Sequence, residues 1–502
     1  MVTKKRSTIW RERMRRAPSA RHVAYCAGWD VRERPMADAV LIPYDLWVNQ
    51  AHALMLWQTG IVERHVYRKL QQALATIERK WRARLWTLDP ALEDVHVNIE
   101  RMVARYAGDE AGGWLHTGRS RNDQAATDVR LFVRDVLLEF QSEMIALVFE
   151  LIRYAGKHAE TLMPGLSHTQ PACVTTFGHV LCGHAQAMLR DAEQMRATFG
   201  VANLCPLGAA AGYGTSWPIN RAAVARHLGF DGVQENSLDC VSSRWEIEAR
   251  WVADLAFAAT HLSQFAQDLV LWAMPWVGFI TFDDRHVTGS SIMPQKRNPD
   301  FAEVTRAKAA VVHGVLQSLL TLNRGLVSGY NRDLQWSKYL VMNAVEELRE
   351  TPTILREAVG GMMVHAERMA ESARRDFLVA VDLADLIARR ARIPFRKSYE
   401  IVAALVRQCE RAGQFIPEVV ERALAVHRLD KKLPRAKWLA AIEPARAVQT
   451  KKSLGGPAPT AVRANLVRLE AAARALGQWN AERRSAIACA RRNLMRQIQK
   501  TR

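Results

Sequence analysis

The chain has 502 residues, 49% of them hydrophobic and 24% charged, and a formal net charge of +19. That composition excludes a disordered polymer, and with no apolar run long enough to cross a bilayer it also excludes a membrane-embedded protein. The positive charge invites a nucleic-acid reading, but residues 1–22 carry +7 and residues 483–502 another +7, leaving +5 for the body, which suits a small polyanionic substrate and no specific nucleic-acid partner. Seven cysteines without CxxC spacing argue against a disulfide framework and a zinc site, and for a reducing, cytoplasmic compartment.

The opening stretch, residues 1–20, is Arg-rich and acid-poor, which fits an organelle transit peptide or a disordered basic tail on a bacterial protein. From about Leu41 to Arg84 apolar residues recur at helical spacing, with Gly60 placed to end one helix. Leu92-Glu-Asp-Val-His-Val-Asn-Ile-Glu-Arg101 follows Pro90 and reads as a helix start with acids in its first turn. In Leu115-His-Thr-Gly-Arg-Ser-Arg-Asn-Asp-Gln124, Gly118 breaks the chain and Asn122 or Asp123 can cap the helix that runs on through Leu137. The local pattern fits a capped helix with surface arginines. It also fits an anion pocket in which backbone N–H groups, a guanidinium and an amide converge.

Met163-Pro-Gly-Leu-Ser-His-Thr-Gln-Pro-Ala172 brackets Ser167, His168 and Thr169 between prolines and reads as a loop between long helices. The glycine- and alanine-rich run from Cys205 to Gly214 allows close approach of backbone and ligand. Between Trp251 and Ala273, Leu255, Leu262 and Leu269 recur every seven residues, as do Val252, Ala259, Ala266 and Ala273. That pattern is a tightly packed bundle seam. Trp251, Phe257, Phe265 and Trp272 add apolar bulk on other faces, which predicts a helix buried all round in a bundle shared between subunits.

Thr288-Gly-Ser-Ser-Ile-Met-Pro-Gln-Lys-Arg-Asn-Pro-Asp300 sets two serines, Lys296 and Asn298 in a segment that Pro294 and Pro299 keep out of regular helix. Residue by residue it is an ordinary loop before a helix. As a whole it suits proton abstraction by a serine, with a cation and an amide holding the charge that develops on a carboxylate. A helix resumes at Asp300 and Tyr330-Asn-Arg-Asp-Leu-Gln-Trp-Ser-Lys338 follows. Shorter helices beyond about Ala366 lead to Gly455-Gly-Pro457, and Arg484, Ala488, Arg491 and Met495 continue a helical spacing near the end. There is no GxGxxG, no Walker loop and no HxxE or HxxH spacing, so neither cofactor nor metal is expected.

The 288–300 segment resembles the signature loop of the aspartase/fumarase superfamily, and its Gln-Lys-Arg form, with the 115–124, 163–172 and 330–338 motifs, resembles the argininosuccinate lyase branch. The resemblance covers roughly residues 40–460. It implies a mainly α, three-region subunit with a long central bundle, assembled as a homotetramer with active sites shared among three chains, and β-elimination that releases fumarate. It assigns Ser290 as base, Lys296 and Asn298 as grips on the carboxylate, and His168 steered by Glu303 as proton-transfer partner. Ser120, Arg121, Asn122, Ser167, Arg244, Tyr330, Gln335 and Lys338 would contact substrate.

The expected division is a basic extension (1–40), an N-terminal helical domain (41–117), the central bundle with its signature loop (118–365), a C-terminal helical domain (366–482) and a basic tail (483–502). Ser242-Ser-Arg-Trp245 and Trp336-Ser337 stand where that branch carries acids, and Val31-Arg-Glu-Arg-Pro35 adds cations. Those departures fit a second substrate class, an aminopolycarboxylate like that of ethylenediamine-disuccinate lyase. A crystallin-like structural role and a nucleic-acid role are the non-enzymatic alternatives.

Overall fold

The computed structural model describes residues 19, 21, 37–89, 92 and 94–501. The arginines of 31–35, Cys26 and most of the expected basic extension lie outside the described residues. The remainder is mainly α, with six short strands. The principal helices are α1 (Ile42–Gln58), α2 (Arg64–Arg82), α3 (Val95–Ala107), α4 (Arg121–Lys157), α5 (Phe177–Ala202), α6 (Arg244–Ala273) and α7 (Asp300–Leu322). They are followed by α8 (Ser337–Leu348), α9 (Thr351–Gly360), α10 (Ala380–Ala391), α11 (Phe395–Cys409), α12 (Pro417–Val426), α13 (Arg435–Ile442) and α14 (Pro459–Thr501).

Gly60, at φ +73°, separates α1 from α2 where the sequence places the break, since a left-handed residue after a helix end favours glycine. The bundle is built on α4, α5, α6 and α7, with α8, α9 and α14 packed around them. Leu255, Leu262, Leu269, Val252, Ala259 and Ala266 are all buried along α6, as their seven-residue spacing predicts. Trp251, Phe265 and Trp272 are buried too, but Phe257 is 67% exposed. Within one chain α6 is covered mainly by α5, α7 and α8, with lighter contact to α4 and α9, and the side carrying Phe257 is left open; the expected burial on every face was for a bundle shared between subunits.

A second core gathers residues from Ala373 to Val448, on α10–α13 and the segments that flank and connect them, together with Leu162 and Val174. Those two residues belong to an antiparallel hairpin, β1 (Leu162–Ser167) and β2 (Gln170–Thr176), where a loop was expected. Lys451 fastens its root by donating to the Val174 carbonyl at 3.2 Å while pairing with Asp382 at 3.2 Å. The other strands make two short pairs, β3 (Leu204–Cys205) parallel to β4 (Gly232–Val233) and β5 (Ile280–Phe282) antiparallel to β6 (Met362–Val364).

Residues 483–501, expected as a tail, continue α14 without a break. Leu494 and Ile498 enter the main core beside α1 and α2, and Val462, Leu466, Leu469 and Leu476 of the same helix enter it earlier. One apolar stripe thus runs the length of a helix about 65 Å long. Arg484, Arg492, Arg496 and Lys500, which carry much of the charge of this stretch, are exposed on the other side. No described helix is long and apolar enough to cross a membrane.

Candidate active site

The start of α4 forms one wall of a cavity. Ser120 is its N-cap: the Ser120 hydroxyl accepts the Asn122 N–H at 3.3 Å and Asp123 reaches back to the Ser120 N–H at 2.9 Å. This reciprocal box gives Ser120 the capping role that the sequence reading assigned to Asn122 or Asp123. The other Asp123 oxygen accepts the N–H groups of Gly208 and Ala210, both at 2.8 Å, tying the small-residue loop to the helix start. Burial pushes the Asp123 carboxyl up to about 6 despite these donors. Gly118 sits at φ +72°, where a Cβ would come within 2.7 Å of Ile219.

Behind this turn, α1 supplies three anchors. His52 Nε2 donates to the Thr117 carbonyl at 2.9 Å, Asn49 accepts from Arg119 at 2.5 Å, and Asp45 accepts from Gln124 at 2.5 Å. Each is a buried polar group paired with the 117–124 segment, so the turn is held from within.

The cavity, about 210 Å³, is lined by Asp94, His96, Arg121, Asn122, Ala125, Arg244, Tyr330, Arg332, Gln335 and Lys338. Arg121 donates to Asp94 at 3.3 Å. Lys338 pairs with buried Asp38 at 2.6 Å. The buried Arg244 guanidinium lies 5.0 Å from the Tyr330 ring centre, and the Tyr330 hydroxyl donates to Gln335 at 3.3 Å. Burial lowers the Arg244 pKa and pushes the neighbouring Glu248 carboxyl up to about 7, against a hydrogen bond from Ser337 at 2.8 Å. The lining carries four Lys/Arg side chains and one acid, Asp94; Arg121 and Lys338 are each paired with a carboxylate.

Of the expected substrate contacts, Arg121, Asn122, Arg244, Tyr330, Gln335 and Lys338 meet here. Asp94, His96, Arg332 and Asp38 were not singled out as site residues. The first two come from the 92–101 segment, which the sequence presents as a helix start; only the tertiary fold brings in Asp38.

His96 lies within reach of three acids: Nε2 is 3.0 Å from Asp128 and 3.9 Å from Asp45, and Nδ1 is 3.7 Å from Asp94. Burial opposes its charge, yet the hydrogen bonds to Asp128 and Asp94 and the field of Asp45 hold the imidazole up to about 10. Asp45, His96 and Asp128 also have the spacing of a metal-ligand group.

A folded value above the ordinary 6.5 or so means that the stability supplied by His96 is full below that pH and is lost as pH rises through about 10. Urea midpoints measured from near neutrality to about pH 10 are expected to fall, and to fall less in His96→Gln.

The signature loop stands apart from this cavity. Thr288 and Asn298 exchange backbone hydrogen bonds at 3.0 and 2.8 Å, and the Thr288 hydroxyl donates to Asp300, closing the loop at its root. Arg297 ties it down through Asp284 at 2.5 Å and the Phe282 carbonyl at 2.9 Å. Between these anchors Ser291 to Arg297 are exposed. Ser290 Oγ accepts the N–H groups of Ile292 and Met293 at 3.3 and 3.1 Å, a pair of donors that would also stabilise an alkoxide. The Asn298 amide points to the Gly289 carbonyl at 3.4 Å.

His168 and Thr169 form the two-residue tip of the β1–β2 hairpin, both at positive φ, with Ser167 paired to Gln170 beneath them. Ser167, His168 and Glu303 are exposed, and no hydrogen bond or ion pair joins His168 to Glu303 within the chain. Ser290, Lys296, Asn298, Ser167, His168 and Glu303 do not line the 210 Å³ cavity. One chain therefore presents three separate parts: a cationic cavity, a serine loop and a histidine hairpin.

Comparison with known proteins adds the following. A family model described as Lyase matches residues 32–314, and one described as Argininosuccinate lyase C-terminal matches residues 377–449. The argininosuccinate lyase of Bordetella pertussis is 42% identical over 432 residues, which cover 85% of this chain and 89% of the relative. That of Methanosarcina acetivorans is 37% identical over 451 residues, 89% of this chain and 90% of the relative. Among solved structures, EDDS lyase in complex with formate superposes with a TM-score of 0.86 at 27% identity, over 97% of this chain and 96% of the other.

Proposed function

The chain belongs to the lyase family, in its argininosuccinate lyase branch, and from that premise we propose that it splits argininosuccinate into arginine and fumarate. The reaction is a β-elimination across a carbon–nitrogen bond. The observation that carries this reading is the cationic cavity, which places Arg121, Asn122, Arg244, Tyr330, Gln335 and Lys338 around a volume suited to a carboxylate-rich substrate.

Ser290 Oγ takes the proton from the carbon next to a succinyl carboxylate. The electron pair left behind moves into that carboxylate, giving an aci-carboxylate, and Lys296 and Asn298 hold its charge. Collapse of that species forms the C=C bond of fumarate as the C–N bond breaks, and the departing nitrogen takes a proton from His168, steered by Glu303, or from a nearby hydroxyl. A serine alkoxide needs water excluded and positive charge close by. The exposed loop meets that need only when it is folded over a cavity.

Because the loop, the hairpin and the cavity do not meet within one chain, the reading places them on neighbouring subunits of a homotetramer. Phe257 on α6 and the exposed small-residue line Ala307, Ala310, Gly314 and Ser318 on α7 offer the close-packing faces for such an assembly.

A second substrate class draws support from the cavity's excess of cations, which suit a leaving group bearing carboxylates, and from Trp336 and Ser337, which stand in the sequence between the lining residues Gln335 and Lys338 where acids are usual in the branch. Fumarate release followed by ultraviolet absorbance separates the two. Argininosuccinate is expected to turn over with a kcat/KM at least about 10⁴-fold above that of ethylenediamine disuccinate, the scale at which a site built to hydrogen-bond a polar group rejects an analogue that lacks it. The reverse order would assign the enzyme to aminopolycarboxylates.

A further inference from the structure

The formal charge is concentrated on two helices that touch. Residues 459–501 carry nine Lys/Arg and two acids, and residues 64–82 carry six and one, so α14 and α2 together hold +12 of the chain's +19. They meet at their ends. The Tyr67 hydroxyl lies 2.9 Å from the Thr501 hydroxyl, Arg68 donates to the Thr501 carbonyl at 3.3 Å, and Arg491 reaches Glu78 at 3.8 Å. We propose that the face shared by the last turns of α14 and by α2 is a docking surface for the phosphodiester backbone of nucleic acid, engaged without regard to base sequence.

Arg492, Arg496 and Lys500 follow one another at four-residue intervals on the outer side of α14, all exposed and with no ion-pair partner among the described residues. Each step advances about 6 Å along the helix and drifts about 40° around it, which makes a gently winding row of cations on one side of a rigid rod. Arg64, Lys69 and Arg79 are exposed on α2. No acid falls between Arg483 and Thr501. A surface of this kind neutralises phosphates and releases their counterions, which is a sequence-independent source of affinity.

An anionic membrane is the competing partner, and the helix argues against it. An interfacial helix needs an outward apolar face, whereas Leu494 and Ile498 point into the protein core and the exposed positions from 484 onward hold only Arg, Lys, Ser, Ala, Cys, Asn and Gln. None of the six cations named lines the cavity, so the surface stands independently of the lyase reading.

The test uses the full chain and a labelled random-sequence duplex of about 30 base pairs, with anisotropy read at salt concentrations from about 50 to 200 mM. The expected wild-type affinity is in the micromolar range at the low end and falls steeply with salt. Arg492→Gln/Arg496→Gln/Lys500→Gln is expected to reduce the slope of log K against log salt by about 2–3 and to weaken binding at least about tenfold. Arg64→Gln/Lys69→Gln/Arg79→Gln should act in the same direction, and both variants should keep wild-type fumarate release. The proposal is overturned if the wild type fails to bind at the lowest salt, or if both triple variants bind as the wild type does. It is also overturned if phosphatidylglycerol vesicles are bound more tightly than the duplex.

Discussion

Ser290→Ala is expected to lower turnover by about 10²–10⁴-fold, the range spanned by a positioned general base. The side chain makes only local contacts, accepting two backbone N–H groups on an exposed loop whose root is fastened elsewhere by Thr288, Asn298 and Arg297. Its loss should therefore leave folding and assembly unchanged, and size exclusion with a thermal melt checks that separately from the fumarate assay. The same geometry makes a second outcome testable. Gln335 lines the cavity whereas Ser290 does not, so Ser290→Ala and Gln335→Ala damage different parts. Mixing the two inactive variants after dissociation and reassembly should restore a fraction of the activity, because some hybrid sites combine an intact loop with an intact cavity. Near-normal turnover in Ser290→Ala would remove that residue from the chemistry. Failure of the mixture to recover would place a whole site within each chain.

Lys338→Met is expected to destabilise the fold by about 3–5 kcal/mol, the usual result of leaving one member of a buried ion pair alone. Lys338 and Asp38 are both buried, 2.6 Å apart, at the start of α8. Asp38 also accepts the Val95 N–H at 3.1 Å, so the pair connects α8 to the first turn of α3, which carries His96 next to the cap Asp94. The double variant Asp38→Leu/Lys338→Met removes both charges and their desolvation cost, and most of the lost stability should return. Activity should not return with it if Lys338 also faces substrate. Urea unfolding and the fumarate assay together distinguish the two roles. Full recovery of activity in the double variant would restrict Lys338 to architecture.

The helical character of the chain, the seam of α6 and the break at Gly60 were legible because they depend on local periodicity and on one residue's backbone freedom. So were the four motifs, whose residues are close in sequence. The histidine segment was misread as a loop because Pro164 and Pro171 speak for irregular structure. The β1–β2 pairing holds there because Leu162 and Val174 bury themselves against α10–α13, more than two hundred residues later. The basic end of the chain was misread as a tail because charge is visible in a sequence, whereas the opposite face of the same helix gains its meaning only from a core to bury it in.

The sequence by itself determined the chemistry available to this protein: a serine, a lysine and an asparagine in one closed loop, and arginines beside a helix cap. Those features need only neighbours along the chain. The tertiary structure alone decided which of them can act together. It turned Ser120 inward as a cap and paired Lys338 with Asp38. It set His96 among three carboxylates, and it left the serine loop outside the cavity of its own subunit. Burial and the contacts between distant segments fix each of those outcomes, because a side chain's charge state and direction depend on what surrounds it after folding.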